Sequence, residues 1–245
     1  MKTGLALLLL TLGALALSGC STYLPPGAKA DLQAFAPPSI QEGFAAKPTD
    51  PFPASIAAVR VQAPNYSNYN LRQNGGTYGS GRYTVVMTRE VEEQTQFDRV
   101  TALPQVAGIT SLNRMLLPQQ LDGDRPIREA ASRLQADLVF IYTFDTAFFD
   151  TDASRPLTVI TLGLSPTRKI QAVTTVSALL MDTRTGFIYS AYEVTERADT
   201  HSTSWGSSDA ADEVRRTTET KAFAKLINDV VNSWPKFLER YGKKE

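Results

Sequence analysis

The chain has 245 residues, 42% of them hydrophobic and 20% charged, a balance ordinary for a globular protein with one sizeable core. Its 25 basic and 25 acidic residues cancel, so neither a nucleic-acid footprint nor an acidic disordered tail is indicated. A single cysteine excludes an internal disulfide, and a single histidine disfavours a metal cluster or a histidine-based triad; no cofactor motif is present.

The N-terminus opens with Met1-Lys2, and Leu5 to Leu17 is an almost unbroken apolar run. As a helix that run spans about 20 Å, short of the ~30 Å hydrocarbon core of a bilayer, so it reads as a signal-peptide core rather than a permanent span. It ends in Leu17-Ser18-Gly19-Cys20, which resembles the lipobox of bacterial lipoproteins. The resemblance implies diacylglycerol on the Cys20 thiol, cleavage before it, and membrane attachment through several acyl chains, each buried methylene contributing about 0.8 kcal/mol. Ser21, rather than aspartate, follows; by the sorting rule of enteric-type lipoproteins this implies the outer membrane, with the domain facing the periplasm. Residues 1–19 are thus read as leader, 20–53 as tether and 54–245 as one α/β domain.

Seven of the fourteen prolines lie between Pro25 and Pro53. Proline lacks the amide donor and restricts its predecessor, so this stretch reads as an extended spacer, part of which packs on the domain in an alternative reading. Ser55–Val61 is the first expected strand. A polar stretch rich in asparagine and glycine follows, and Tyr83, Val86, Met87 and Val91 recur at spacings that predict a helix over 82–96. Phe97 to Leu103 reads as a short strand, and 111–116 as a short helix. Asp124, as a capping acceptor, and Pro126 open a helix whose face is Ile127, Ala130, Ala131 and Leu134. It leads into Ala136–Phe144, an apolar run suited to a strand buried on both faces. Asp145, Asp150 and Asp152 read as loop acids. Ile170–Met181 is rich in β-branched residues, Asp182-Thr183-Arg184-Thr185-Gly186 is a turn, and Phe187–Thr195 is the returning strand. Asp209–Trp234 is a long amphipathic helix with Phe223, Leu226, Ile227, Val230, Val231 and Trp234 on one face; Pro235 is expected to end or kink it.

This order predicts an α/β two-layer sandwich, a mixed β-sheet packed by amphipathic helices. The strand at Ile56–Val61, the helix leading into Ala136–Tyr142, the strand through Leu180 ending in Asp182–Gly186 and the closing helix together resemble one superfamily. It contains the periplasmic domain of the curli-secretion-channel lipoproteins (CsgG), the N-terminal domain of TolB and the peptidoglycan-synthase-activating lipoprotein LpoB. The resemblance covers about residues 54 to 238. The curli channel inserts two long hairpins to build a barrel; here only about 25 residues separate Phe144 from Ile170, room for one short excursion.

Other constellations admit competing readings. Gly75, Gly76, Gly79 and Gly81 ahead of the expected helix offer an anion cradle or a surface loop. Tyr66, Tyr69 and Tyr78, interleaved with asparagines, suggest a contact surface. His201 stands in a polar loop with Trp205, which either pins the loop or meets a partner. Leu157, Ile160 and Leu162, within Leu157–Leu164, are core or an exposed edge that meets membrane or another subunit, a choice the Phe148-Phe149 pair shares. The sequence therefore predicts a non-enzymatic envelope lipoprotein. It acts as an accessory or regulatory module binding an envelope protein or, alternatively, as an oligomeric secretion component resembling the curli channel.

Overall fold

The computed structural model describes residues 29–36, 39–64, 66–68, 71, 76–152, 168–202 and 207–243. Cys20, Tyr69, Leu157, Ile160, Leu162 and Trp205 lie outside them. Among the described residues a mixed sheet is packed by helices on its faces, as the order of elements predicts.

β1 (Ala54–Gln62) is the hub of the sheet. On one side its residues Ile56–Val59 pair in parallel with Leu138–Ile141 of β7 (Leu138–Asp152). Its other edge is shared. The N-terminal half pairs in parallel with β5 (Val106–Ser111), and Arg60–Gln62 pairs antiparallel with β4 (Thr84–Val86). β2 (Thr77–Tyr78) adds to β4, and β3 (Ser80–Gly81) pairs with β6 (Gln120–Leu121) in a small separate sheet. Beyond β7 come β8 (Arg168–Asp182) and β9 (Ile188–Ser202), both antiparallel. The hairpin forms at Asp182–Gly186 because Asp182 Oδ1 accepts the amides of Arg184 and Thr185 at 2.8 and 3.0 Å, while Gly186 takes a φ of +73° that a side chain would resist.

Side-chain alternation divides the sheet into two faces. Ile56, Ala58, Phe140, Tyr142, Phe144, Val176, Ala178 and Leu180 face α4 (Ser207–Tyr241) and Phe97 and Val100 of α2 (Gln94–Thr101). Ala57, Val59, Val61, Val139, Ile141 and Met181 face α3 (Arg125–Arg133) through Ile127, Ala130 and Ala131. The described part of the proline-rich stretch joins that second face. Ala30, Ala34 and Phe35, the last two within a short 3-10 turn (Leu32–Phe35), are buried there. Farther along, α1 (Ile40–Ala45) is a six-residue helix, Thr49 bonds Asp182 through both its amide and its hydroxyl, and Phe52 enters the core beside Trp234 and Phe237.

Four local expectations are corrected. Residues 82–93 form no helix, and only 94–96 of the expected span are helical, as the start of α2: Tyr83, Val85 and Val86 are buried in and around β4, and spacings of three and four there reflect a short strand with both faces covered. Phe97–Leu103 is no strand, since Phe97 and Val100 are one face of α2 and the strand starts at Val106. Asp145, Asp150 and Asp152 are not loop acids but belong to β7. Pro235 does not end the last helix, which runs on to Tyr241 because Phe237 and Tyr241 continue the apolar face. Asp124 precedes α3 as expected, yet its carboxylate accepts Arg128 Nε at 2.6 Å instead of capping the backbone.

Candidate interaction surface and a buried ionic cluster

β1 and β7 stop pairing after Val59–Ile141. There the Gln62 side chain replaces the backbone ladder: Nε2 donates to Phe144 O at 2.9 Å, and Oε1 accepts the Phe144 amide at 2.8 Å and the Thr143 hydroxyl at 3.2 Å. Past that seam β7, β8 and β9 continue together as a three-stranded ribbon, in register to Asp152–Arg168–Ser202. One face of the ribbon is covered. Phe148, Ile170, Ala172 and Ala198 pack against Ala211 and Val214 in the first turns of α4.

The other face is open among the described residues. It carries Asp145, Ala147 and Phe149 from β7, Lys169, Gln171 and Val173 from β8, and Arg197 and Asp199 from β9, with Phe149 53% exposed. Strand alternation thus splits the Phe148-Phe149 pair, the first against α4 and the second outward. The outer edge of β9 has no partner among the described residues over its fifteen positions, leaving a row of backbone donors and acceptors free to pair.

The root of the ribbon is fixed by a buried ionic cluster that joins four parts of the chain. Arg60 of β1 sits beside Glu92 Oε1 (3.3 Å), Glu219 Oε2 (3.5 Å) and the Tyr66 hydroxyl (3.2 Å). Its guanidinium lies 4.4 Å from the Phe144 ring centroid, a cation–π arrangement. Arg215 of α4 donates to Asp212 (2.9 Å), Glu219 (2.9 Å) and Glu90 (2.5 Å). The hydroxyls of Tyr142 and Thr146 donate to Glu92 and Glu219 at 3.3 and 3.0 Å. Asn68 bridges Tyr66 and Glu90. Burial lowers the proton affinity of both guanidiniums, but the surrounding tyrosines and carboxylates outweigh it and hold both above the usual arginine range. Burial also pushes the Tyr66 and Tyr142 phenols upward, Tyr142 the more strongly. Two arginines face four carboxylates (Glu90, Glu92, Asp212, Glu219), a formal surplus of two negative charges, which the half-exposed Arg216, 4.0 Å from Glu90, partly offsets. Each carboxylate is paired, so the cluster acts as a structural clamp.

Sequence-nominated residues scatter around this frame. Tyr66 is buried in the cluster and offers no contact surface. Tyr78 is half-buried with its hydroxyl donating to Leu117 O at 3.1 Å. Gly79 serves close packing, since a Cβ there would collide with the Leu121 side chain; with no helix directly following Gly81, the anion-cradle reading loses its helix terminus. His201 lies at the end of β9 opposite Lys169. The chain leaves the ribbon toward the segment holding Leu157, Ile160 and Leu162 at Asp152, and toward Trp205 at Ser202, two positions both paired with Arg168. The connections bearing these nominees therefore start from one end of the ribbon. The cluster itself was missed; its signals were Arg60 inside an apolar strand and Arg215-Glu219 spaced by four.

Among the described residues no group of three or more metal-ligating side chains could hold an ion, and no helix is long and apolar enough to cross a membrane. No family model matches the sequence, and no curated protein matches it. A solved structure from Caulobacter crescentus CB15, described as a lipoprotein, is similar at 11% identity and TM-score 0.27, over 43% of this chain and 69% of that one. A homolog of neuraminyllactose-binding hemagglutinin from Helicobacter pylori is similar at 11% identity and TM-score 0.34, over 77% and 87% of the two chains. A Xanthomonas campestris protein of the DUF330 family gives 11% and 0.34, over 79% and 94%.

Proposed function

We propose that the chain is a non-enzymatic envelope lipoprotein. It is anchored to the outer membrane by acylated Cys20 and acts as an accessory module that binds another envelope protein along the β7–β9 ribbon, on a domain of the CsgG, TolB and LpoB type. The observation that carries this reading is the fifteen-residue edge of β9, unpaired among the described residues, beside a sheet face that none of them covers. Strand addition to such an edge supplies backbone hydrogen bonds, while pockets between alternate side chains supply selectivity. Charges along β9, among them Glu193, Glu196, Arg197 and Asp199, discourage indiscriminate pairing.

The reading is tested by placing a photoreactive amino acid at Ala191 or Arg197 of β9 and irradiating intact cells, with Asp229 on the outer face of α4 as control. A discrete adduct with one other envelope protein, from β9 and not from Asp229, is expected. Adducts only between copies of this chain would transfer the same edge to the oligomeric secretion reading. Absence of any β9-specific adduct would overturn both.

A further inference from the structure

α1 is amphipathic the wrong way round for a helix lying on a protein. At about 100° per residue, Ile40 and Phe44 fall on one side, and Glu42 and Ala46 on the opposite side. Glu42 and Ala46 border an open polar pocket of about 180 Å³ with Asp124, Arg128, Thr185 and Gly186; no residue of the helix is buried, and this is the side turned toward the domain. Ile40 and Phe44 point outward, 82% and 79% exposed. Met115, 87% exposed, is on the same side of the sheet: neighbouring Leu117 is buried in the α3-face cluster, and Leu116 O accepts a hydrogen bond from Arg133 Nη1 at 2.7 Å.

The position of the chain's entry says what this side meets. The described chain starts at Lys29, which bridges Gln62, and Ala30 donates its amide to Thr143 Oγ1 at 3.0 Å within the α3-face cluster. Nine positions separate Cys20 from Lys29, and nine extended residues reach at most about 32 Å. If Cys20 carries the anchor, the α3 face, where the chain enters, stays within about 32 Å of the bilayer, and this inference rests on that reading. We infer that Ile40 and Phe44 of α1 are a membrane peg, entering the boundary between headgroups and acyl chains and fixing the orientation of the tethered domain. Basic and acidic groups are mixed beside α1 and on α3 (Arg125, Arg128 and Arg133; Glu42, Asp124 and Glu129). The contact is thus apolar and little affected by salt.

The test uses mature acylated protein in vesicles of phosphatidylethanolamine and phosphatidylglycerol. Cys20 is the only cysteine, and the anchor consumes its thiol, so Phe44→Cys provides a single site for an environment-sensitive dye. A blue-shifted emission and a several-fold loss of quenching by aqueous iodide are expected, relative to the same dye at Asp229→Cys on α4. Equal quenching at the two sites would overturn the peg, as would shielding at 44 that appears only when another protein is added. Palmitate incorporation at Cys20 is read separately. If it fails, the Cys20→Ser chain is tested by flotation, where binding lost on Ile40→Ser with Phe44→Ser supports the peg and no binding before substitution refutes it.

Discussion

Single side chains in this protein matter most where charge is buried. Arg215 is enclosed and is the cation shared by Glu90, Asp212 and Glu219. Arg215→Met removes it and leaves Asp212 without a cation, Glu219 with Arg60 alone and Glu90 with the more distant Arg216, which should cost about 3–5 kcal/mol of stability at neutral pH. Crowded carboxylates bind protons more readily folded than unfolded, so the variant should regain stability as pH falls toward 5, a trend read from urea midpoints across pH. Asp182 behaves in the opposite sense. Hydrogen bonds from Thr49, Thr185 and Arg184 overcome its burial and hold its carboxyl below the usual range. Its contribution is then present above the unfolded value near 4 and lost as pH falls through the folded one. Asp182→Asn should lower stability at pH 7 by about 1.5–3 kcal/mol, and its deficit should narrow below pH 4. A deficit independent of pH would contradict this assignment.

At the scale of elements, legibility followed how local each signal was. The β8–β9 hairpin was readable because turn chemistry and β-branched flanks coincide within about thirty residues. The stretch 82–103 was not, because Tyr83, Val86, Met87 and Val91 mimic a helical stripe while their burial is divided, Tyr83 against Phe35, Val86 against Tyr66 and Leu71, and Val91 in the core on the α4 side. α4 was readable as a helix from Asp209, but its buried face only from Phe223 onward. Its buried face continues N-terminally through Glu219, Thr218, Arg215, Val214 and Ala211, residues whose polarity marks an exposed surface unless Arg60 and Glu90 are known to lie opposite. β7 was cut short for the same reason, its aspartates resembling a loop although α4 covers the other face of the ribbon. Truncation of the apolar half, as in Leu226→Ala, should cost about 2–5 kcal/mol in denaturant titrations. Pro235 interrupts the hydrogen-bond ladder of a helix that continues past it, so Pro235→Ala should stabilise the protein by up to about 3 kcal/mol. A loss of stability would mean that the proline shapes a bend needed for packing Trp234 and Phe237.

For the whole molecule, the arrangement gives each face its own task. The α4 face buries the larger apolar core, the α3 face receives the N-terminal chain and presents Ile40 and Phe44, and the ribbon runs on past the end of β1 with its β9 edge unpaired among the described residues. The overall architecture was legible in the order of elements; the ribbon was not, because it depends on where β1 and β7 part at Gln62. The decisive measurement is the native mass and composition of the acylated protein extracted from membranes in mild detergent. The account predicts one copy of this chain in a discrete complex with a different envelope protein. A ring containing many copies of this chain alone would contradict it and make the ribbon edge a subunit interface.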